Sequence, residues 1–188
     1  MTVVALVLAA GAGSRFGADK RRAVLPDGRS LLAHSVERAL AVFDEVRVVL
    51  RDGERAEDFD LPPGCRVIHS PEAALGMGHS LAAGAASLLD CDAQAVAILL
   101  GDMPWIAPQT LRQLAGAASA STILFPLYDG QRGHPVLFGC DFWPALTQLS
   151  GDEGARTVVQ AHRDRCVVVD VNDPGVLRDV DTPDALLS

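Results

Sequence analysis

A continuous apolar run, Val3 to Ala9, constrains the fold more than any other stretch of the sequence. It is short, rich in β-branched residues and followed by glycines, which is typical of a strand buried on both faces. Comparable runs recur along the chain, the last two more weakly: Glu45–Leu50, Ala95–Leu100, Cys65–His69 and Ser121–Leu127. Strands of this kind predict a sheet that is covered on both of its faces.

Helical patterns separate these strands. Apolar residues recur at helical spacing from Leu31 to Phe43 and from Leu81 to Leu89, and again after Pro108. Regular alternation of strand and helix predicts parallel strands joined by crossover helices on both faces of the sheet. A capping box of Ser150 and Glu153 predicts one further helix directly after it.

The alternation breaks down after about residue 128. "GHPVLF" and "VLRDVD" are short strand candidates between irregular stretches, so the sheet is expected to be mixed in this part. We find no internal repeat, low-complexity tract or linker, and therefore expect one domain over residues 1–188. The predicted fold class is α/β, with a mostly parallel, mixed sheet between two helical layers.

Composition narrows the classes of function. The chain of 188 residues is 49% hydrophobic and 21% charged, as is usual for soluble globular proteins. Its formal net charge of −8 argues against nucleic acid as a partner, because nucleic-acid binding requires a basic face. The cysteines are widely spaced, and the apolar start is too short to span a membrane. We therefore expect a cytoplasmic protein with no membrane partner, acting as a monomer.

The loop "LAAGAGSRFGADK" after the first strand is the first candidate site. It fits neither the dinucleotide fingerprint, whose third glycine would fall on Phe16, nor the Walker A loop. Gly11, Ala12 and Gly13 nevertheless allow a tight turn with exposed main-chain N–H groups, which suits phosphate oxygens. Arg15 and Lys20 add two cations. Taken alone, the same loop could be a turn with two solvated basic residues.

Asp102, in "LLGDMP", follows a buried strand at the end where α/β sheets bind their ligands. A carboxylate there suits a hard cation such as Mg²⁺ held together with phosphates, although an ordinary turn residue is the alternative.

Two further loops hold candidate binding residues. "LGMGHSL" places Gly76 and Gly78 before a helix, with His79 and Ser80 able to read the polar edges of a base. In "GQRGHPVLF", Arg132 and His134 belong either to a loop that closes on substrate or to a simple hairpin.

Six motifs in the same order, over nearly the whole chain, resemble the nucleotidyltransferase family of molybdenum-cofactor biosynthesis: "LAAGAGSRFGADK", "LGMGHSL", "GDMP", "GHPVLF", "GDEGAR" and "DVDTPDAL". The chain looks most similar to the cytidylyltransferase branch. The guanylyl-transferring branch tends to read "LAGG" where this chain has Ala9-Ala10-Gly11, and it has a proline-containing stretch where this chain has "LGMGHSL".

The resemblance implies a Rossmann-like three-layer α/β/α nucleotidyltransferase fold. It also implies Mg²⁺-dependent transfer of CMP from CTP to the phosphate of the molybdenum cofactor, a phosphorylated pterin, with release of pyrophosphate. A molybdoenzyme or its chaperone would receive the product. The alternatives are guanylyl transfer to the same cofactor, nucleotidyl transfer to a sugar or polyol phosphate, and a module that binds nucleotide or cofactor without turnover.

The resemblance also implies roles for individual residues. The catalytic residues would be Arg15, Lys20 and Asp102. The nucleotide would bind to the following residues: Leu8, Ala9, Ala10, Gly11, Ala12, Gly13, Arg15, Lys20, Gly76, Gly78, His79 and Ser80.

The acceptor and the metal have their own candidates. Arg132 and His134 would contact the acceptor, and Asp102 would bind the metal. Related enzymes often carry a second metal ligand near the C-terminal strand, for which Asp173, Asp179 and Asp181 are available. We favour Asp173, because it is expected to follow a strand and precede a turn.

Arg21 and Arg22 depart from the family pattern, which has a leucine close behind the lysine. They would either meet the acceptor's phosphate or be solvated.

Overall fold

The computed structural model describes residues 1–11 and 17–187. Within this part of the chain, eight strands form one sheet: β1 (Val3–Leu8), β2 (Val46–Arg51), β3 (Cys65–Ser70), β4 (Ala95–Leu100), β5 (Ile123–Tyr128), β6 (Gln131–Arg132), β7 (Val136–Gly139) and β8 (Cys166–Asp170). The α-helices are α1 (Leu31–Leu40), α2 (Met77–Ala86), α3 (Pro108–Ala117), α4 (Trp143–Leu146) and α5 (Arg156–Ala161).

The strand order is β3-β2-β1-β4-β7-β5-β6, with β8 beside β5. The first four strands are parallel, whereas β7 is antiparallel to both β4 and β5. The sheet is therefore mostly parallel but mixed, as the sequence predicts. The chain runs outward from β1 through β2 and β3 and then returns to β4 on the other side of β1. Open α/β sheets bind ligands beyond the carboxyl ends of their strands at such a reversal.

Alternate residues of β1 enter two separate hydrophobic cores. Val3, Ala5 and Val7 face the core that holds Leu32 of α1 and Leu111 of α3. Val4, Leu6 and Leu8 face the core on the other side of the sheet, which includes residues of α2, α4 and α5. Three layers result, with helices on both faces of the sheet. Full burial of each such leucine contributes about 1.5–3 kcal/mol.

Close packing of α2 on the sheet depends on a glycine. A Cβ atom on Gly84 would lie 2.5 Å from a methyl carbon of Leu6 in β1. The absent side chain lets α2 approach the strand, and this brings the first turn of α2 close to the loop that follows β1.

Two local predictions are wrong. "VLRDVD" is not a strand: Pro174–Leu177 forms a 3₁₀ turn, and β8, which was not predicted, precedes it. The predicted helix is present as α5, but the capping box is wrong: α5 begins at Arg156, and its N-cap residue is Ala155, which has no polar side chain to cap the helix. Gly151 and Gly154 both have positive φ values, 73° and 57°, and they turn the chain before a helix can start.

Across residues 1–11 and 17–187, no helix has both the length and the apolar character that a membrane crossing requires.

Candidate active site

A cavity of about 560 Å³ lies at the carboxyl edge of the sheet, between the ends of β1 and β4 and the first turn of α2. We call it the loop cavity, because the chain following β1 forms one of its walls. It brings together eight of the predicted site residues: Leu8, Ala9, Ala10, Gly11, Lys20, Gly76, Ser80 and Asp102. The predictions for Ala12, Gly13 and Arg15 concern residues outside the described part of the chain.

Lys20 is held over the carboxyl end of β4. It begins a 3₁₀ turn, Lys20–Arg22, whose N-cap is Asp19. Its Nζ atom lies 2.8 Å from Oδ2 of Asp102 and also donates to the carbonyl oxygen of Val180 at 3.2 Å. The side chains of Lys20 and Asp102 are 18% and 20% exposed, so the ion pair is accessible to a ligand from the cavity.

Three carboxylates converge beside Lys20. Asp102, Asp179 and Asp181 each offer one oxygen atom, and these atoms lie within 4.8 Å of one another. The main chain supports the arrangement, because the N–H of Val180 donates to the carbonyl oxygen of Asp102 at 2.9 Å. Burial, and then the neighbouring charges of Asp181 and Asp102, raise the pKa of Asp179. We call these three residues the acidic group.

Asp173 does not belong to the acidic group. One of its oxygens accepts hydrogen bonds from the N–H of Ala107 at 2.9 Å and the hydroxyl of Thr110 at 2.8 Å. The other accepts from the N–H of Gly175 at 2.9 Å. The preference for Asp173 as the second metal ligand is therefore corrected: this buried carboxylate joins the start of α3 to the C-terminal 3₁₀ turn.

Gly78 and His79 do not line the described part of the loop cavity. The N–H of Gly78 donates to the carbonyl oxygen of Gly151 at 2.8 Å, and a Cβ atom at position 78 would lie 2.6 Å from the carbonyl oxygen of Ser150. The Nδ1 atom of His79 lies 3.0 Å from a carboxylate oxygen of Glu72. Gly78 thus allows a close approach of two backbones, and His79 faces Glu72.

Arg21 and Arg22 have different environments, and only Arg21 differs from expectation. Arg21 is buried, and its guanidinium binds Asp19, Glu54 and the carbonyl oxygen of Ala9. Arg22 is exposed and lies over the ring of Phe59. Arg21 therefore contributes to the wall of the loop cavity and is not solvated.

A second cavity, of about 590 Å³, lies on the α2 and α5 side of the sheet. We call it the sheet cavity. It contains both predicted acceptor-binding residues, Arg132 and His134, and three arginines take part in its lining: Arg132, Arg156 and Arg163. The remaining lining is largely aliphatic and aromatic, and Leu8, Met77 and Leu100 line both cavities. The two cavities therefore share a wall at the ends of β1 and β4.

The two acceptor candidates differ in character. The guanidinium of Arg132 lies 4.6 Å from the ring centre of Phe125. Burial lowers the pKa of His134, although the charges of Asp102 and Asp179 act in the opposite direction. Its Nδ1 atom is buried and has no hydrogen-bond partner within the described residues. Burial therefore favours the neutral imidazole of His134, and one of its ring nitrogens is unused among the described residues.

Two charged residues of the loop cavity, Arg51 and Asp152, were not expected from the sequence. Arg51 is the last residue of β2, at the carboxyl edge of the sheet. Its position at the end of a predicted strand is the feature of the sequence that could have identified it. Asp152 lies in "GDEGAR", between Ser150 and Glu153 of the expected capping box, a pattern that indicates no ligand-binding role.

Two curated proteins resemble the chain over most of their length. The purine catabolism protein PucB of Bacillus subtilis is 29% identical, over 97% of this chain and 93% of its own. The nicotine blue oxidoreductase of Paenarthrobacter nicotinovorans is also 29% identical, over 96% of this chain and 92% of its own. Among solved structures, the manganese complex of Rv0371c from Mycobacterium tuberculosis has a TM-score of 0.78 and 28% identity, covering 98% of this chain and 96% of that one.

The family model for the MobA-like NTP transferase domain matches residues 5–166. This range contains the glycine loop, Lys20, Asp102 and the lining of the sheet cavity. The chain belongs to the family of MobA-like NTP transferase domains.

Proposed function

We propose that the protein transfers CMP from CTP to the phosphate of the molybdenum cofactor and releases pyrophosphate. One observation carries the proposal: Lys20 and the acidic group stand at the carboxyl edge of the sheet, where the loop cavity and the sheet cavity share a wall. A nucleotide in the first cavity and an acceptor in the second would meet at that wall.

The acidic group fits a divalent cation. Its three carboxylates face one ammonium, that of Lys20, among the described side chains of the loop cavity. Burial, and then the charges of Asp181 and Asp102, raise the pKa of Asp179, so a cation placed there would relieve both. Hard oxygen ligands favour Mg²⁺, and the manganese complex of a related structure supports a divalent ion. We assign Asp102, Asp179 and Asp181 as its ligands. When bound, Mg²⁺ would neutralise charge on the triphosphate and the leaving pyrophosphate.

Lys20 would act on the triphosphate itself. Its flexible side chain can leave Asp102 once the carboxylate has another cation, and its ammonium can then donate to phosphate oxygens. Arg15 belongs to the same loop and would supply a second donor. Such donors stabilise the negative charge that develops on the oxygens around the reacting phosphorus.

The chemical step requires no strong general base. An oxygen of the acceptor phosphate would form a bond to the α-phosphorus, while the bond from that phosphorus to the pyrophosphate oxygen breaks. The acceptor phosphate is already anionic at neutral pH. A neutral His134 is consistent with this scheme, because it would orient the acceptor without having to take up a proton.

The sheet cavity favours a flat acceptor over a sugar or polyol phosphate. Its lining includes Phe125, Phe138 and Val136, which can pack against the flat face of a ring system. The guanidinium groups of Arg132 and Arg163 suit the phosphate of such a molecule. A polyol would leave its hydroxyl groups unpaired against these side chains. Delivery of the product to a molybdoenzyme or its chaperone is part of the same proposal.

The test is pyrophosphate release by the purified protein, with purified molybdenum cofactor and each of the four NTPs in turn. We expect release that depends on Mg²⁺ and is fastest with CTP. A faster reaction with GTP would overturn the assignment of the base, and turnover with sugar phosphates alone would overturn the acceptor. Nucleotide binding without turnover on any acceptor would leave a non-catalytic module as the function.

A further inference from the structure

Three consecutive main-chain carbonyls at the end of β1 are held by arginines. The oxygen of Ala9 accepts from Nη1 of Arg21 at 2.8 Å, and that of Ala10 accepts from Nε of Arg51 at 3.1 Å. The oxygen of Gly11 accepts from Nη2 of Arg51. Such a run of carbonyls bonded to side chains is unusual, because backbone groups at a strand end more often bind water or other backbone.

The two arginines are themselves fixed, and Glu54 joins them. One carboxylate oxygen of Glu54 lies 2.6 Å from Nη1 of Arg21, and the other lies 3.7 Å from Nε of Arg51. Arg21 also binds both oxygens of Asp19 at 2.9 Å and lies over the ring of Phe59 at 4.4 Å. We call Arg21, Arg51 and Glu54 the arginine clamp.

The clamp determines which way the N–H groups point. In a planar trans peptide the C=O and N–H bonds point in opposite directions. Since the carbonyls of Ala9 and Ala10 turn toward the arginines, the N–H groups of Ala10 and Gly11 turn away from them. Neither N–H donates a hydrogen bond to any described residue, and both residues line the loop cavity. The wall therefore presents two unused main-chain donors.

We propose that Arg21, Arg51 and Glu54 are positioning residues, which orient the N–H groups of Ala10 and Gly11 toward the bound nucleotide. The inference rests on the proposed function, because it takes the loop cavity to be the nucleotide site. A rotated peptide would instead turn a carbonyl oxygen toward an anionic ligand, so the wall would lose a donor and gain a repulsive acceptor. The clamp prevents this rotation.

The test compares Arg51→Lys and Glu54→Gln with wild type. Lysine keeps the charge but cannot hold two carbonyls with a fixed fork of donors. Glu54 does not line either cavity, so Glu54→Gln removes the link between the arginines without touching a ligand. We expect the KM for NTP to rise about tenfold in Arg51→Lys, the effect of losing one well-placed hydrogen bond, with a smaller rise in Glu54→Gln. The kcat and the KM for the acceptor should change much less.

Arg47→Lys is the matched control. Arg47 is a buried arginine on the same strand as Arg51, and it binds the carbonyl oxygen of Ser87 at the opposite end of the sheet. The Arg47→Lys variant should have a lower Tm than wild type but the same KM for NTP. Equal KM values in Arg51→Lys and wild type would overturn the inference, as would a rise in Arg47→Lys as large as that in Arg51→Lys.

Direct binding separates this inference from the proposed function. The Kd for NTP in the absence of acceptor is measured by titration for wild type and for Arg51→Lys. If wild type binds no NTP, the proposed function fails. If both proteins bind NTP equally well, only the positioning role fails.

Discussion

At the scale of single residues, the site is defined by an excess of carboxylate. Lys20 forms an ion pair with Asp102, yet Asp179 and Asp181 lie within reach of the same point. The ammonium of Lys20 balances one of the three negative charges of the acidic group. A divalent cation, free or bound to substrate, would balance the remaining charge. Under the proposed function, Lys20 and a metal ion would compete for Asp102.

Lys20→Ala should have opposite effects on turnover and on metal binding. We expect kcat to fall by about 10², since a donor to the triphosphate is lost. In the absence of nucleotide, Mn²⁺ should bind about twofold to fivefold more tightly, because a partly exposed ion pair no longer competes for Asp102. Mn²⁺ titration by electron paramagnetic resonance measures this. Arg22→Ala removes the same charge away from the acidic group and serves as the control; unchanged or weaker Mn²⁺ binding in Lys20→Ala would contradict the prediction.

Asp179→Asn should stabilise the metal-free protein at neutral pH. The pKa of Asp179 is raised above its ordinary value of 3.8. Its contribution to stability is therefore fully present below 3.8 and is lost as the pH rises through the folded-state pKa. Asparagine avoids this loss, so the gain in Tm should be present at pH 7 and should shrink as the pH falls toward 3.8. A gain that is the same at every pH would show that charge is not its cause.

At the scale of elements, local pattern and tertiary contact each determine part of the structure. The bounds of β1 and β4 are predicted to within one residue. A continuous apolar run of this length is stable only when it is buried on both faces, as in the centre of a sheet. β8 is missed, although Cys166–Asp170 contains a run of apolar, β-branched residues. It pairs with β5 alone, and Val167 and Val168 are 39% and 46% exposed. The capping box at Ser150 matches a local motif that the two turning glycines override.

Asp173→Ala tests the structural role assigned to this carboxylate at the start of α3. It removes three hydrogen bonds to a buried charged group and should lower the free energy of unfolding by about 3 kcal/mol, measured by urea denaturation. Thr110→Val removes one of the three and should cost less. Neither change should alter Mn²⁺ affinity. A loss of Mn²⁺ binding in Asp173→Ala with little loss of stability would restore Asp173 as a metal ligand.

At the scale of the whole molecule, the reversal of strand order places the chain segments that follow β1 and β4 at the carboxyl edge of the sheet. The direction in which strands are added to the sheet reverses between β3 and β4. The ends of β1 and β4 therefore lie side by side, with Leu8 paired with Leu100. Lys20, from the loop after β1, thereby meets Asp102, which is 82 residues away in sequence. The C-terminal segment completes the site when Val180 pairs with Asp102.

A ligand that joins these segments should stabilise the molecule as a unit. CTP with Mg²⁺ at 100 times its Kd would add about 2.7 kcal/mol, or about 5 °C or more in Tm for a chain of this size. The measurement is thermal unfolding with each NTP, with and without Mg²⁺. The shift should be largest with CTP and should shrink without the metal. A larger shift with GTP would contradict the preference for cytosine.

The sequence by itself determined the α/β alternation and the edge of the sheet at which the candidate site lies, because apolar period and turn residues are local properties. Its six motifs indicated the family. It also singled out Lys20 and Asp102. Only the tertiary structure decided that Asp179 and Asp181, not Asp173, face Asp102, and that Arg21 is part of a buried clamp. The physical reason is that the role of a charged side chain depends on the hydrogen-bond donors and charges that folding places beside it. Asp173 meets three hydrogen-bond donors of the fold, whereas Asp179 meets other carboxylates.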